Sequence, residues 1–303
     1  MEKFTVTILG CGSAKPTLIH NPSSQLITIG GKAFLVDCGE GTQHQLMRYR
    51  CNTTRLRHIF ISHLHGDHIY GLPGLVSTMG LQHHDAEIVV HLPEAGIPLL
   101  KPLMEYSAHD LNLRFEPYEH RRAIIYEDKT IEVETLPLVH SLPCCGFIFR
   151  EKPKPRHIIR EAIDRYEVPI CRIAGIKLGN DYTLPDGRVI ANDELTSAPS
   201  PSRAYAYVSD TLPLKAVAHA VKGIDLLYHE ATHPSSRASS SKATCHSTAA
   251  QAAQIASLAE VKRLLIGHYS SALKGDDING LLEEARAVFP ATIASQEGMT
   301  IEI

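Results

Sequence analysis

Four side chains able to bind a metal ion crowd into seven residues, Ser62-His63-Leu64-His65-Gly66-Asp67-His68. They follow the apolar run Ile59-Phe60-Ile61, which reads as a strand, so the three histidines and the aspartate sit where a strand gives way to a short loop and can converge on one point. Neutral imidazole nitrogen and carboxylate oxygen suit zinc, and a cluster without cysteine can keep coordination positions open for water. An open site of this kind points to chemistry rather than to a structural metal. The bland alternative is a loop rich in histidine by chance, against which stand the glycine at 66 and the apolar strand just upstream.

Three further residues of the same chemistry stand where other apolar runs end: His140 in Leu138-Val139-His140-Ser141, Asp210 in Ser209-Asp210-Thr211 and His268 in Gly267-His268-Tyr269. Strand ends at 63, 140, 210 and 268 fit one edge of a layered sheet, where polar groups from distant parts of a chain can gather. Two ions need about six to eight protein donors with room for a bridging water, and these residues supply them. The arrangement suggests His63, His65 and His140 around one ion and Asp67, His68 and His268 around the other, with Asp210 bridging. Ions about 3.5–4 Å apart activate water near neutral pH and steady both oxygens of a displacement, which is hydrolysis of an ester, amide or phosphodiester.

In this scheme Asp67 lies beside the attacking water and accepts its proton. The leaving oxygen needs a proton in turn. His246, oriented by Glu230, is the candidate acid, because a carboxylate beside an imidazole raises its pKa and fixes its tautomer. Read alone, His246 is more simply a histidine at a helix N-terminus beside the capping hydroxyls of Ser247 and Thr248. Asp37 has two readings as well, stiffening the metal loop or capping its own turn.

The elements that must carry these residues are legible from periodicity and turn residues. Strands are expected at Phe4–Gly10, at Gln25–Ile29 and Lys32–Val36 around a Gly30-Gly31 hairpin, at Glu87–His91, and near 113–117, 123–126 and 130–136. Helices are expected over 43–50, 70–82 and 97–106, the second from the spacing of Leu72, Leu75, Val76 and Met79. The second half repeats the pattern: strands at 204–208, 224–228 and 263–266, helices at 214–221 and 278–288, an alanine-rich helix from His246, a Ser/Arg loop from Ser235 to Lys242, and a terminal strand. His44, His58, His83, His84, His109 and His120 lie at element margins without a ligand pattern and are assigned to structure or surface.

At 303 residues the chain can bury a sizeable core. No run approaches the length of a membrane span, and the first residues lack the basic start and apolar stretch of a signal peptide, so the expected location is the cytoplasm. Seven cysteines without a Cys-x-x-Cys pair suggest neither a disulfide framework nor a cysteine zinc site. A formal net charge of −3 does not advertise a nucleic-acid binder, so any polyanion would need a local basic patch. Such a patch exists between 150 and 177, where eight basic residues (Arg150, Lys152, Lys154, Arg156, Arg160, Arg165, Arg172, Lys177) face four acidic ones (Glu151, Glu161, Asp164, Glu167). Residues 150–195, with Lys152-Pro153-Lys154-Pro155, a short helix over 156–166 and turns at Gly179-Asn180 and Pro185-Asp186-Gly187, read as a protruding arm inserted in a single domain of 1–303. Taken alone, a mixed-charge stretch of this kind is more often a solvated surface insertion.

The His63–His68 loop, with Asp37 upstream and His140, Asp210 and His268 downstream, resembles the metallo-β-lactamase superfamily. That resemblance implies an αββα sandwich, two sheets covered by helices on their outer faces. His229-Glu230-Ala231-Thr232 with Cys245-His246-Ser247-Thr248-Ala249-Ala250 narrows the likeness to ribonuclease Z, the tRNA 3′-processing endonuclease. The opening Gly10–Pro16, Asp37–Gln43 and Ser209–Thr211 agree, so it spans nearly the whole chain. It implies removal of the 3′ trailer from precursor tRNA with two Zn2+ per subunit, Asp67 as base, Glu230 and His246 as the proton-donating pair, a flexible arm that grips tRNA, and a homodimer. Three stretches depart from the family pattern: Thr17-Leu18-Ile19-His20-Asn21 where a lysine and an arginine are usual, Val168–Arg172 in place of a Gly-Pro-rich knuckle, and Ala272-Leu273 in place of Arg-Tyr. None is a proposed ligand. The rival readings are a small-molecule phosphodiesterase or esterase of the same superfamily, and a non-catalytic RNA-binding module that has kept the fold.

Overall fold

A computed structural model of the chain describes residues 3–82, 86–108, 111–273 and 277–303; His83, His84 and His109 lie outside them. The chain divides into two compact units, one of 1–127, 132–149 and 203–303, the other of 128–131 and 150–202.

The first unit opens with β1 (Phe4–Gly10), β2 (Ser24–Ile29) and β3 (Lys32–Val36), an antiparallel meander. Gly30 and Gly31 turn between β2 and β3 at φ 55° and 77°, the left-handed pair that a two-residue hairpin needs and that glycine adopts without a Cβ clash. The chain then alternates helix and strand through α1 (Thr42–Arg48), β4 (Leu56–Phe60), α2 (Gly66–Ile69), α3 (Leu72–Leu81), β5 (Ile88–Pro93), α4 (Ile97–Ser107) and β6 (Leu113–Tyr118). Pairing from β3 to β6 is parallel, as crossovers of this length require. The second sheet begins with β7 (Ile124–Glu127), β8 (Ile131–Leu138) and β9 (Cys144–Glu151).

The second unit holds β10 (His157–Ile158), α5 (Arg160–Arg165), α6 (Ile170–Lys177), β11 (Tyr182–Thr183), β12 (Val189–Ile190), α7 (Asn192–Leu195) and β13 (Thr196–Ser197). β10 pairs with β13 and β11 with β12 around a small core that includes Ile163, Val168, Ile176, Tyr182 and Leu195. The helix expected over 156–166 thus starts only at Arg160, because His157 and Ile158 are taken by strand pairing. The unit runs to 202, beyond the expected 195. Helix α6, entered through Pro169, was not expected: eight residues are too few to show a clear helical period.

The first unit resumes with β14 (Ala204–Val208), α8 (Lys215–Ala220), β15 (Leu226–Glu230), α9 (Ala238–Ala243), α10 (Ala249–Leu258), β16 (Leu264–Gly267), α11 (Asp277–Val288), β17 (Thr292–Ala294) and β18 (Thr300–Glu302). The supposed Ser235–Lys242 loop contains α9, whose serine-rich sequence carries a weak helix signal. α10 starts three residues later than a His246 start implies, capped by Thr248, whose hydroxyl accepts the Gln251 N–H while the Gln251 amide oxygen accepts its own.

Two seven-stranded sheets result, in orders β18-β1-β2-β3-β4-β5-β6 and β17-β16-β15-β14-β9-β8-β7. The strand period of two decides what each sheet face meets. On β3 and β4, Phe34 and Phe60 turn to the second sheet and meet Phe149 and Phe147 at ring centroids 5.8 and 5.5 Å apart. Their neighbours Leu35, Ile59 and Ile61 turn the other way, into a core with Leu72, Leu75, Val76 and Met79 of α3 and Leu100 and Met104 of α4. Helix α10 packs against both α8 and α11, and α10 and α11 lie on the second sheet. This is the αββα sandwich.

β14 to β17 are parallel, so the carboxyl ends of β14, β15 and β16 fall on one edge, as strand ends do where open α/β sheets build their sites. In the first sheet, backbone packs on backbone beside the end of β4. A Cβ on Gly71 would lie 2.1 Å from Gly39 O, and one on Gly39 would lie 2.5 Å from Asp67 O. The Cys38 N–H donates to His68 O (2.8 Å) and the Gly71 N–H to Cys38 O (2.9 Å), which fixes the His63–His68 loop on the loop after β3.

Candidate metal centre

Each expected ligand leaves a strand end or sits just beyond one: His63 and His65 after β4, Asp67 and His68 in α2, His140 after β8, Asp210 after β14 and His268 after β16. Side-chain atoms of all seven converge. His63 Nε2, His65 Nδ1, His140 Nε2 and Asp210 Oδ2 form one group: His65 Nδ1 lies 3.0 and 3.1 Å from the two Nε2 atoms, and Asp210 Oδ2 lies 3.6 and 3.7 Å from them. His68 Nε2, His268 Nε2 and Asp67 Oδ2 form a second, with His68 Nε2 at 3.6 Å and His268 Nε2 at 3.5 Å from Asp67. Asp210 Oδ1 reaches the same two nitrogens at 3.5 and 3.1 Å. Each Asp210 oxygen therefore faces one group, as a bridging carboxylate does.

The donor atoms fit a pair of divalent ions. A tetrahedron of ligands about 2.0–2.2 Å from its centre has edges of about 3.3–3.6 Å, close to these separations. His68 Nε2 and His268 Nε2 are buried without a hydrogen-bond partner, a costly state for a polar atom unless something is bound between them. The donor set, five imidazoles and two carboxylates, suits divalent metal ions.

The outward ring nitrogens explain why the inward ones face the centre. His68 Nδ1 donates to Asp37 Oδ2 (2.7 Å) and His140 Nδ1 to Cys245 O (3.2 Å). The Ser62 hydroxyl gives its proton to Asp37 Oδ2 (2.8 Å) and so accepts from His63 Nδ1 (3.0 Å). By the same logic Thr232 donates to Glu230 Oε2 (2.7 Å) and accepts from His268 Nδ1 (3.0 Å). The network assigns the N–H to the outward nitrogen each time and leaves a lone pair pointing in. Asp37 is thus more than a turn cap: buried, it also accepts from the Ser62 N–H (2.7 Å) and the Tyr207 hydroxyl (2.7 Å). Ser62 and Tyr207 escaped the sequence reading, since a serine before a histidine and a strand tyrosine carry no signal of their own.

Burial and neighbouring imidazoles hold His63 well below the usual histidine pKa; burial lowers His65 and His140 too. Burial pulls on His68 as well, but Asp37, Asp210 and Asp67 hold it well above. Burial raises Asp210, yet His268, His68 and His63 keep it well below the carboxylate range.

Beside the centre, in a cleft of about 540 Å³ that also holds His65, Asp67, His140 and His268, stands His246. Its Nδ1 donates to Glu230 Oε1 at 2.8 Å. Glu230, fully buried at the end of β15, also accepts from the N–H groups of Thr211 (3.1 Å), Thr232 (3.1 Å) and Ser247 (3.0 Å). Burial works against charge on His246, but the Glu230 carboxylate, with Asp210 and Asp67, pushes its pKa up to about 9. Asp67 Oδ2 accepts the Ala14 N–H (2.7 Å), which ties the loop after β1 to the centre.

A family profile described as Anti-Pycsar protein Apyc1 matches residues 4–154. The whole chain is similar in fold to YhfI of Bacillus subtilis, a metallo-β-lactamase fold protein, with a TM-score of 0.71, 18% identity and complete coverage of both chains. Fold and site together define a metal-dependent hydrolase of the metallo-β-lactamase superfamily. The chain is 47% identical over 306 aligned residues to ribonuclease Z of Bacteroides fragilis strain YCH46, covering all of both proteins. It is 25% identical to the crystal structure of human tRNase Z, short form, with a TM-score of 0.69 and 98% of each chain covered. It belongs to the ribonuclease Z family.

Asparagine at 37 would keep one acceptor and set an N–H2 against donors, so Asp37→Asn should cost about 2–4 kcal/mol in denaturant unfolding. Metal affinity should fall about 10- to 100-fold by competition with a chromophoric chelator, and unchanged affinity would show that Asp37 does not hold the ligands.

Proposed function

We propose that the chain is the endoribonuclease that removes the 3′ trailer from precursor tRNA, with two zinc ions per subunit held by His63, His65, His140, Asp67, His68 and His268 and bridged by Asp210. The observation that carries this reading is His246, held by the buried Glu230, set in a cleft lined by five of the seven convergent metal donors, in a chain of this family. When bound, the ions would supply an activated water and draw charge from the phosphate oxygens. The chain's own residues manage the protons. Asp67 is held by Ala14 through Oδ2, which leaves Oδ1 to accept the proton of the attacking water. His246, with Nδ1 engaged by Glu230, keeps Nε2 to protonate the oxygen that leaves.

The second unit is the substrate arm. Among the described residues, Arg165 and Arg172 are exposed and form no ion pair, whereas Arg156, Arg160 and Arg188 are matched to Asp193, Asp164 and Asp186. Unpaired arginines suit phosphates, which position a nucleic acid without reading its sequence. The working form is a homodimer in the cytoplasm, one subunit's arm holding the tRNA that the other cuts. Leu99, Leu103 and Tyr106 of α4 are 56%, 50% and 88% exposed at the spacing of one helix face, an apolar stripe suited to a second copy. No helix among the described residues is long and apolar enough to cross a membrane.

Purified protein should cut a trailer-bearing precursor tRNA only with its metal, and His246→Ala should lower kcat by about 10²- to 10⁴-fold. Cutting that survives complete chelation would sink the metal assignment. The charge reversal Arg165→Glu/Arg172→Glu should raise KM for tRNA, reduce the dependence of KM on salt by about two phosphate contacts and leave a small chromogenic phosphodiester unaffected. A salt slope equal to that of the unmodified protein would remove the arm from binding. Leu103→Glu should shift the mass measured by light scattering from dimer to monomer, and no shift would place any dimer contact elsewhere.

A further inference from the structure

Behind His246 lies a second cavity, of about 420 Å³, between the chain that follows Asp210 and helix α9. Leu212, Pro213 and Ala238 give it an apolar side, Ser239, Lys242 and Gln251 a polar one, and His246 lines both this cavity and the metal cleft. Its volume lies within the usual range for small-molecule sites, about 300–1,000 Å³. The Lys242 ammonium is exposed and has no ion-pair partner among the described residues. Gln251 spends its amide oxygen on the Thr248 N–H, so its N–H2 remains to donate. The cavity therefore offers an apolar face with hydrogen-bond donors at its rim and no carboxylate.

Resting on the precursor-tRNA reading, we propose that this cavity binds the ribose and base of the nucleotide whose 3′ oxygen leaves, the last nucleotide retained by the mature tRNA body. A tRNA end that is to be extended or charged must carry a free 3′ hydroxyl. The bond broken is therefore phosphorus to O3′, and the bond formed is phosphorus to the oxygen of water. The electron pair stays on O3′, His246 supplies its proton, and the water's proton goes to Asp67. The phosphate sits in the metal cleft and its leaving oxygen at His246, so the nucleoside that carries the oxygen continues past the imidazole, where this cavity opens. Its apolar side meets the faces of sugar and base, and Lys242 and Gln251 meet the acceptor atoms that every base presents. The subsite senses that a base is present more than which base it is.

The test compares three substrates, an intact precursor tRNA, one abasic at the last retained nucleotide and one abasic at the first trailer nucleotide, with three proteins: the unmodified enzyme, Lys242→Ala and the cavity-filling Ala238→Trp. Both substitutions are at exposed positions, and metal content and melting temperature check the fold. With the unmodified enzyme, kcat/KM should fall about tenfold when the retained base is missing, the size of one well-made contact. Each variant should lose about as much on intact tRNA and little more on that abasic substrate, because base and side chain act on one contact. Equal cutting of the intact and retained-abasic substrates overturns the inference. So do additive losses, or non-additivity with the trailer-abasic substrate instead. Failure of the unmodified enzyme to cut intact precursor tRNA would overturn the functional reading itself, an outcome separate from these.

Discussion

The centre depends on a buried carboxylate that never touches the reacting atoms: Asp37 takes four hydrogen bonds, from the Ser62 N–H, the Ser62 hydroxyl, His68 and the Tyr207 hydroxyl. Two sheets meet at this residue, since Ser62 and His68 follow β4 while Tyr207 comes from β14. Ionised oxygens are strong acceptors, and in a dry interior each of these contacts constrains the others. Ser62 passes the constraint to His63 and also lies 3.3 Å from the Ser209 hydroxyl, beside Asp210. Ligands on strands 147 residues apart are thereby held in one frame.

That frame allows backbone conformations the chain would otherwise avoid. Asp37, Cys245 and His268 sit at φ 54°, 58° and 61°, in the left-handed region where a side chain costs about 1–2 kcal/mol. Each position serves the site. At 37 the turn aims the carboxylate back at Ser62 and His68; at 245 it presents a carbonyl to His140 just before His246; at 268 it brings the ring out of β16 to face Asp67. Three strained residues next to the same cleft show where packing energy has been used to set geometry.

How much of this was legible follows from the signal each residue carried. The convergence of the seven candidate donors was readable because metal chemistry needs particular residue types at strand ends, and the strands themselves announce their ends by apolar runs and glycine turns. Single strands were readable for the same reason, from Gly30-Gly31 and the alternation in Phe4–Gly10, whereas the two-sheet αββα layering came from the family resemblance. Of the residues that orient the donors, only Asp37 was readable, as one of two alternatives. Ser62, Thr232 and Tyr207 are ordinary residues in ordinary positions, and their roles appear only when distant strands meet. Short elements were lost too: α6 and α9 have eight and six residues, and His157 and Ile158 look helical until Thr196 and Ser197 pair with them.

The last requirement of the site is that neighbouring histidines behave differently. The ring of His246 lies 5.0 Å from that of His140 and 5.3 Å from that of His268, yet the proposed chemistry asks the two neighbours for lone pairs and His246 for a proton. Burial lowers the pKa of His140, whose Nδ1 meets only a backbone carbonyl. The same burial acts on His246, but its Nδ1 meets a full carboxylate. Thr232 stands between Glu230 and His268: its hydroxyl gives its proton to the Glu230 carboxylate and takes one from His268 Nδ1, so His268 meets a neutral hydroxyl. Burial acts on His140 and His246 alike, and what the far nitrogen of each ring touches pushes their pKa values apart.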